Sequence, residues 1–432
     1  MKRPLPVCSI LLISFAPMLV AAGLKEMNPP ADPEEDQMIA IVGARLVDGH
    51  GRPPLENAVV LVKGSKIIAA GEASSIDFPH TAESFDASGL TLLPGLIDTH
   101  FHSRDSVEIP IEYELQKGIT SFREPGHPFK YYIIPLLSQE TLPRIFLCGG
   151  HLDGVPPIHP DQAIRVTDSN YARKSVESHV KRGASAIKVY FRLPLEHIAA
   201  VCEEANEQGV PVIAHLELVD ADDAIRAGVG GIEHITSFGT ALADPKDVER
   251  FKSEIQENAR ARTQLRPWLW SLMDLDQNPR LKPLLDLVVE TGTFVSPTIG
   301  IFEARKGIGR TTPEQVEGFN RMLEFIALCH EAGAKIVVGS HTRSPFADEG
   351  YAYLREMELL VEAGLPPMEV LTAATKNGAE YLGIEDRLGT LEAEKTADLV
   401  LIKGDPTRNI SDMRNVERVM LNGEWVYAAS QR

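Results

Sequence analysis

Cysteine is scarce in this sequence: its 432 residues contain four, at positions 8, 148, 202 and 329. Their spacing is wide and irregular, so it does not describe a disulfide framework. No cysteine has a C-x-x-C partner, which argues against a zinc site made of thiolates. We therefore expect Cys148, Cys202 and Cys329 to be buried thiols, with at most one pair among them.

Positively charged residues are also few: the sequence has 43 Lys and Arg against 61 Asp and Glu, which gives a formal net charge of −18. The electrostatic field of such a negative protein repels phosphate backbones and argues against nucleic-acid binding. The chain has no long biased tract, and 44% of its residues are hydrophobic and 24% charged. That composition excludes a fibrous or disordered molecule, and the length allows one large domain with a smaller companion.

Long hydrophobic runs are missing except at the N-terminus. There, Lys2 and Arg3 precede apolar residues 4–20, and small residues follow at 21–23. The run is short for a membrane span and Pro17 interrupts it, so a removed signal peptide over residues 1–22 is favoured over a membrane anchor. We expect an exported protein, periplasmic or secreted, without stable membrane insertion after cleavage.

The rest of the chain divides by composition and pattern. Residues 23–37, rich in Pro, Asp and Glu, are expected to form a solvated linker. Short β-like runs separated by turn residues occur near both ends, which predicts a small β-sandwich made of residues 38–93 and 388–432. Residues 94–387 would then be inserted between its two halves.

In this middle part, apolar strands alternate with helical patterns. The eight candidate strands cover residues 90–97, 118–123, 144–148, 184–190, 211–215, 231–234, 293–297 and 335–339. Alternation over about 250 residues predicts the α/β class and a TIM-type (β/α)₈ barrel, although periodicity alone leaves a doubly wound sheet open. The long connection 241–290 is expected to add helices over the mouth, with Trp268 and Trp270 either lining it or packing in the core.

Unusual polar residues stand at the ends of these strands: His100 and His102 after the first, Lys188 within the fourth, and His215 and His234 ending the fifth and sixth. The C-terminal ends of barrel strands converge on one face, so these side chains should meet there. Imidazole suits zinc and other transition metals, and an unpaired lysine in an apolar strand is costly. Each residue alone is compatible with a structural role, but together they predict a site for divalent metal.

Four longer segments occur in a recognisable order. They are T-L-L-P-G-L-I-D-T-H-F-H (91–102), K-G-I-T-S-F-R-E-P-G (117–126), G-L-P-P-M-E-V-L-T-A-A-T-K-N-G-A-E-Y-L-G (364–383) and L-G-T-L-E-A-E-K-T-A-D-L-V-L-I-K-G-D-P (388–406). The series resembles the amidohydrolase superfamily, especially its exported branch related to imidazolonepropionase and Xaa-Pro dipeptidases. Glu124, in the second segment, stands where that family usually has an aspartate.

The resemblance implies a role for each of these residues. His100 and His102 would hold a more buried metal, His215 and His234 a more exposed one, and Lys188 would bridge them as a carbamate. It also implies one or two divalent ions per chain, with zinc favoured. The implied reaction is hydrolysis of an amide or related C–N bond, in a dipeptide, N-acyl amino acid or cyclic amide, by a metal-bound hydroxide. A homo-oligomer is left open.

The eighth strand departs from the family pattern. In A-K-I-V-V-G-S-H-T-R (334–343), His341 stands where the family usually has an aspartate that binds metal and transfers a proton. Either His341 remains a ligand and base, as a neutral imidazole can be, or the base is lost and the barrel is a catalytically impaired metal- or ligand-binding protein. We favour the active hydrolase because every other ligand is present. One lost negative charge still predicts weaker binding of two metals.

Three further residues are candidates for substrate binding. Tyr190 shares a strand face with Lys188 and could hydrogen-bond a substrate carbonyl. His151 follows the third strand, and Arg343 follows His341, where it could pair with a substrate carboxylate. A structural role stays open for Tyr190 and His151, and Arg343 is also typical of a surface residue.

Overall fold

The computed structural model describes residues 26–102, 112–132 and 141–429. The expected signal peptide, residues 1–22, lies outside the described residues. No helix in the three described ranges is both long and apolar enough to span a membrane.

Strands and helices alternate through most of the described chain. The strands are β1 (Met38–Leu46), β2 (Leu55–Lys63), β3 (Lys66–Glu72), β4 (Glu83–Asp86), β5 (Leu90–Pro94), β6 (Leu96–Asp98), β7 (Ile119–Glu124), β8 (Arg144–Leu147), β9 (Leu152–Asp153), β10 (Ile164–Arg165), β11 (Ile187–Val189), β12 (Val212–Ala214), β13 (Gly231–Glu233), β14 (Phe294–Ser296), β15 (Leu399–Lys403), β16 (Val416–Leu421) and β17 (Glu424–Ala428). The α-helices are α1 (Glu112–Gln116), α2 (Ser169–Lys181), α3 (Leu195–Glu207), α4 (Ala221–Arg226), α5 (Gly239–Leu242), α6 (Pro245–Glu257), α7 (Arg262–Ser271), α8 (Leu281–Thr291), α9 (Pro313–Ala332), α10 (Ala352–Glu362), α11 (Pro367–Ala374) and α12 (Lys376–Leu382).

The two ends of the chain build one β structure, as expected. Eight strands form a sheet in the order β17-β16-β15-β5-β1-β2-β3, with β4 paired to β1. Strand β5 joins the halves, because it pairs antiparallel with β15 and parallel with β1. Alternate residues such as Ile41, Val60 and Leu399 are buried in a core of their own, which accounts for the alternating apolar pattern of these strands.

The middle of the chain closes into a ring of eight parallel strands. β6, β7 and β8 are neighbours, and so are β11, β12, β13 and β14. Ser185 N donates to Leu147 O over 2.7 Å and links the two groups. Residues 335–338 provide the eighth strand, since Val337 N donates to Val295 O (3.0 Å) and Thr99 N to Val338 O (3.0 Å). The expected (β/α)₈ barrel is therefore confirmed.

The structure corrects the prediction for the first candidate strand. Residues 90–97 do not form one strand: β5 belongs to the sheet made by the chain ends, and β6 belongs to the barrel. Gly95 lies between them, where a Cβ atom would stand 2.2 Å from Thr120 Oγ1. The apolar run is continuous because both strands are buried, so hydrophobicity alone does not show where one domain ends.

The expectation of a solvated linker is also wrong at its start. Glu26 pairs with the buried Arg144 (2.8 Å), which also pairs with Asp398 of the sheet made by the chain ends (2.9 Å). Asn28 bonds through its side chain to Pro143 O and Ile145 N, each at 2.8 Å. This segment docks because a buried guanidinium needs paired acceptors.

The three described cysteines are buried free thiols, and none forms a disulfide with another. Burial raises the pKa of Cys148 and of Cys202 to about 12, so both stay protonated and unreactive at neutral pH. The expectation of buried thiols is confirmed.

Candidate active site

A cavity of about 460 Å³ lies at the C-terminal ends of the barrel strands. All nine residues singled out in the sequence line it. The six expected metal ligands are His100, His102, Lys188, His215, His234 and His341. The three expected substrate contacts are Tyr190, His151 and Arg343.

The five histidines form one contiguous cluster. The ring of His100 lies 4.7 Å from that of His234 and 5.4 Å from that of His341, measured between ring centres. His215 and His234 are 4.3 Å apart by the same measure. The Nε2 atoms of His100 and His102 are separated by 3.1 Å. Two nitrogens bound to one tetrahedral zinc are about 3.3 Å apart, so this pair fits a shared metal.

Buried carboxylates orient two of these rings. Glu233 accepts from Nδ1 of His100 and, over 2.6 Å, from the Tyr381 hydroxyl. Glu124 accepts from Nδ1 of His102 over 3.0 Å. Burial alone would raise the pKa of each carboxyl, but the imidazoles beside them hold the pKa of both below the usual range. Each ring therefore has Nδ1 engaged and Nε2 available to the cavity.

The other two rings at the strand ends are held differently. His234 contacts the Thr298 hydroxyl through Nδ1 at 2.6 Å. His215 contacts Glu217 (3.1 Å) and Arg266 (2.9 Å) through Nε2. Burial lowers the pKa of His215 and of His234 well below the usual value, and neighbouring positive groups act in the same direction. Both rings are neutral, which is the form that binds metal.

Lys188 is an orphaned amine. It is 3% exposed, and its Nζ has no hydrogen-bond partner among the residues that the structure describes. Burial lowers the pKa of Lys188 to about 8, although Glu233 acts in the opposite direction. A buried amine without acceptors is unfavourable, which makes Lys188 as unusual in the structure as it is in the sequence.

Backbone strain is concentrated at the same rim. His234 (φ 64°), Thr298 (φ 45°), His341 (φ 50°) and Thr342 (φ 67°) all adopt left-handed conformations that non-glycine residues avoid. His341 N donates to His100 O (2.8 Å), which fixes the eighth strand end against the first. Strain of this kind persists only where the surrounding structure enforces it, and it clusters at functional sites.

The expected substrate contacts occupy the wall beside the histidines. The Tyr190 ring lies 4.4 Å from that of His151 and 4.7 Å from that of His215. Burial raises the pKa of Tyr190 to about 12 and lowers the pKa of His151 to about 3, so the first is a phenol and the second a neutral imidazole. Nε2 of His151 has no hydrogen-bond partner in the described ranges. Arg343 is exposed at the rim.

Residues 91–426 match the amidohydrolase family, which is most of the chain. The chain belongs to this family. Its barrel, the H-x-H pair and the histidines at later strand ends agree with the resemblance found in the sequence.

Three similar proteins indicate the range of this family. The amidohydrolase is 22% identical over 378 residues to imidazolonepropionase of Bradyrhizobium diazoefficiens, covering 80% of this chain and 87% of that protein. It is 21% identical over 398 residues to adenine deaminase of Leuconostoc citreum, covering 89% of this chain but 60% of that protein. A solved Xaa-Pro dipeptidase with bound methionine shares 23% identity and a TM-score of 0.68, covering 91% of this chain and 100% of the other. This likeness supports the barrel fold.

Several residues of the site were not found from the sequence. Further side chains that line the cavity are His127, His159, Gln162, Arg262 and Arg266. Glu233 could have been found from the sequence, because a glutamate beside His234 in an apolar strand is as unusual there as Lys188 is in its own strand. Nothing in the sequence singles out Arg262 and Arg266, since they lie on helix α7, inside the long connection 241–290. This helix covers the mouth as expected, but Trp268 and Trp270 are not among the residues that line the cavity.

Proposed function

We propose that this amidohydrolase is a metal-dependent enzyme that hydrolyses an amide or related C–N bond in a dipeptide, N-acyl amino acid or cyclic amide. The observation that carries the proposal is the convergence of five imidazoles around a buried amine for which the described residues offer no hydrogen-bond partner. The relatives named above are hydrolases of C–N bonds, which supports the reaction class.

His100, His102, Lys188, His215, His234 and His341 would hold one or two divalent ions, which we propose to be zinc. Neutral imidazole is a preferred ligand of zinc, and three of the rings have Nδ1 anchored so that Nε2 is available. A divalent ion held there would lower the pKa of a bound water and polarise the scissile carbonyl.

Lys188 would complete the site as a carbamate. Its pKa of about 8 makes the neutral amine accessible near neutral pH. The amine lone pair attacks CO₂, forms the N–C bond and releases one proton, which converts a buried cation into an anionic oxygen ligand. Carbon-13-labelled bicarbonate should give a protein-bound carbamate resonance that is missing from a Lys188→Met variant; no resonance in the native protein would contradict this step.

Two residues would act on the substrate directly. Tyr190 keeps its proton because its pKa is raised, so its hydroxyl can donate to a substrate carbonyl. Burial lowers the pKa of His341 well below its usual value, which leaves the ring neutral with a lone pair for metal or for a proton. His341 would take a proton from the attacking water and return it to the leaving nitrogen.

A second candidate function is a binding protein with little turnover. It is favoured by one observation: the cavity-lining residues of the described chain include no aspartate or glutamate. Without a carboxylate base at the eighth strand, ligands could bind without being hydrolysed.

Elemental analysis of the purified protein, beside a hydrolysis screen of dipeptides, N-acyl amino acids and cyclic amides, separates the two functions. Bound metal with turnover supports the enzyme, and bound metal without turnover on the whole panel supports the binding protein. His234→Asn should lower the metal content, whereas His330→Asn, on helix α9 outside the cavity, should not. A native protein that retains no metal would contradict the metal-dependent enzyme.

We also propose that the protein is exported, on the sequence of residues 1–22 alone. N-terminal sequencing of protein recovered from outside the cytoplasm should begin near Gly23; an intact Met1 would contradict this.

A further inference from the structure

The cavity is basic although the protein is acidic. The formal net charge of the chain is −18, yet Arg262, Arg266 and Arg343 line the cavity and no acidic residue does so among the described residues. Concentrating cations in one cleft of an acidic protein raises the local concentration of anionic ligands. The three arginines differ in the partners that they already have.

Arg266 is already neutralised. Its Nε lies 2.6 Å from Glu217, its second nitrogen also contacts that carboxylate, and the same nitrogen lies 2.9 Å from His215 Nε2. Glu217 is 1% exposed and Arg266 11% in their side chains. This arginine positions His215 and has its charge compensated, so it is not available to hold a substrate anion.

Arg262 lies one helical turn earlier on the same face of α7, because residues four apart are neighbours on a helix. It forms no ion pair with any carboxylate that the structure describes, and it is only partly exposed. Its guanidinium lies over the Phe191 ring at 5.3 Å. Stacking on an aromatic face fixes the plane of the guanidinium and leaves its N–H edges for a ligand.

Arg343 is the other cavity-lining arginine that forms no ion pair with a described carboxylate, but it is exposed at the rim. A guanidinium in bulk water contributes little to a single ion pair, whereas a partly buried one contributes more. The geometry therefore favours Arg262 over the arginine that the sequence suggested.

We infer that Arg262 anchors a free carboxylate of the substrate, so that the substrates are N-acyl amino acids or dipeptides rather than neutral cyclic amides. This inference rests on the proposed hydrolysis of C–N bonds. The planar guanidinium would donate two parallel N–H hydrogen bonds to the carboxylate, while the acyl carbonyl extends towards Tyr190 and the histidines.

Matched probes test this inference on the metal-loaded protein. The probes are N-acetyl-L-amino acids and the same compounds with a C-terminal carboxamide, and both calorimetric binding and hydrolysis are measured. The native protein should prefer the acids. Arg262→Gln should weaken binding of the acids at least about tenfold and leave the carboxamides unchanged. Arg262→Lys should recover part of the loss, and Arg260→Gln, an exposed arginine outside the cavity, should bind like the native protein.

Three results would overturn the assignment: equal loss for acids and carboxamides, an undiminished preference for acids in Arg262→Gln, or loss of that preference only in Arg343→Gln. The measurements also distinguish failure of the Arg262 anchor from failure of the proposed hydrolysis. Acid-selective binding that depends on Arg262, without turnover of any probe, would support the anchor while counting against the hydrolase. Turnover without preference for the acids would support the hydrolase while counting against the anchor.

Discussion

At the scale of single residues, the site depends on which nitrogen of each imidazole is already engaged. Glu233 holds Nδ1 of His100, and Glu124 holds Nδ1 of His102. A carboxylate partner fixes the tautomer and raises the basicity of the ring nitrogen that binds metal. These glutamates lie behind the ligands rather than in the cavity, so they also supply negative charge to a site lined by neutral and basic groups.

Glu233→Gln should weaken metal binding about 10- to 100-fold, because the amide holds His100 less strongly. Tyr381→Phe is the matched control, since it removes the other hydrogen bond to Glu233 and leaves His100 untouched. Metal affinity, measured by competition with a chelator, should fall much less in this variant. Equal affinities in Glu233→Gln and the native protein would contradict the orienting role.

His341→Asp should raise the metal content towards two ions per chain, because it adds one negative charge where two dications are expected to meet. His330→Asp adds the same charge outside the cavity and should leave the metal content unchanged. Elemental analysis measures both. An unchanged stoichiometry in His341→Asp would count against the charge argument.

At the scale of elements, helix α7 is fastened to the end of β12 by one buried ion pair. Arg266→Met should cost about 3–5 kcal/mol in the free energy of unfolding, because it leaves the buried Glu217 carboxyl without its guanidinium partner. The double variant Glu217→Gln/Arg266→Met should be more stable than the single one. Urea unfolding measures both, and a double variant no more stable than Arg266→Met would contradict this account.

A buried carboxyl also caps the turn that follows β14. Glu356, on helix α10, accepts from Ile299 N (2.9 Å) and Gly300 N (2.7 Å). Burial raises the pKa of Glu356 to about 8, against the effect of these two bonds. The native state therefore binds this proton more tightly than the unfolded chain does.

The stability that this proton contributes is fully present below about pH 4.5, the pKa of the carboxyl in the unfolded chain. It is lost as the pH rises through about 8, the pKa of Glu356 in the native protein. We expect the unfolding free energy to fall by on the order of a few kcal/mol between about pH 5 and pH 8 through this group. Glu356→Gln cannot titrate and should show a smaller decrease. If urea unfolding gave the native protein and Glu356→Gln the same dependence of unfolding free energy on pH, this contribution of Glu356 would be excluded.

At the scale of the whole molecule, ring closure makes the site. His100 and Glu233 are 133 residues apart in the chain, yet their side chains are in contact because β6 and β13 belong to one barrel. Six residues from five separate strand ends then surround a common centre. We therefore expect metal binding to be coupled to the native arrangement of the barrel.

Removing the metal should lower the thermal stability of the whole protein. An ion at a thousandfold excess over its Kd adds about 4 kcal/mol to the native state. A chelator should thus lower the Tm of the native protein clearly, and that of His234→Asn much less. Differential scanning calorimetry measures both, and equal shifts in the two proteins would argue against metal binding at these histidines.

The residues that line the cavity beside His100 and the order of the strands were predictable because they depend on local features. Lys188 and the histidines stand out against apolar strands, and the C-terminal ends of parallel strands always share one face. The division of residues 90–97 into two strands at Gly95 was not predictable, since burial continues across this glycine. Nor was the docking of Glu26, whose partner Arg144 lies 118 residues away.

The sequence by itself determined the α/β class, because periodicity and hydrophobicity are set by neighbours along the chain. It indicated the barrel only together with the polar residues at the strand ends and the resemblance to a known family. Only the tertiary structure decided which carboxylates stand behind the imidazoles and which arginine of helix α7 is left without a partner. Those contacts join residues tens to hundreds of positions apart, and their distances are fixed only when the ring of strands closes.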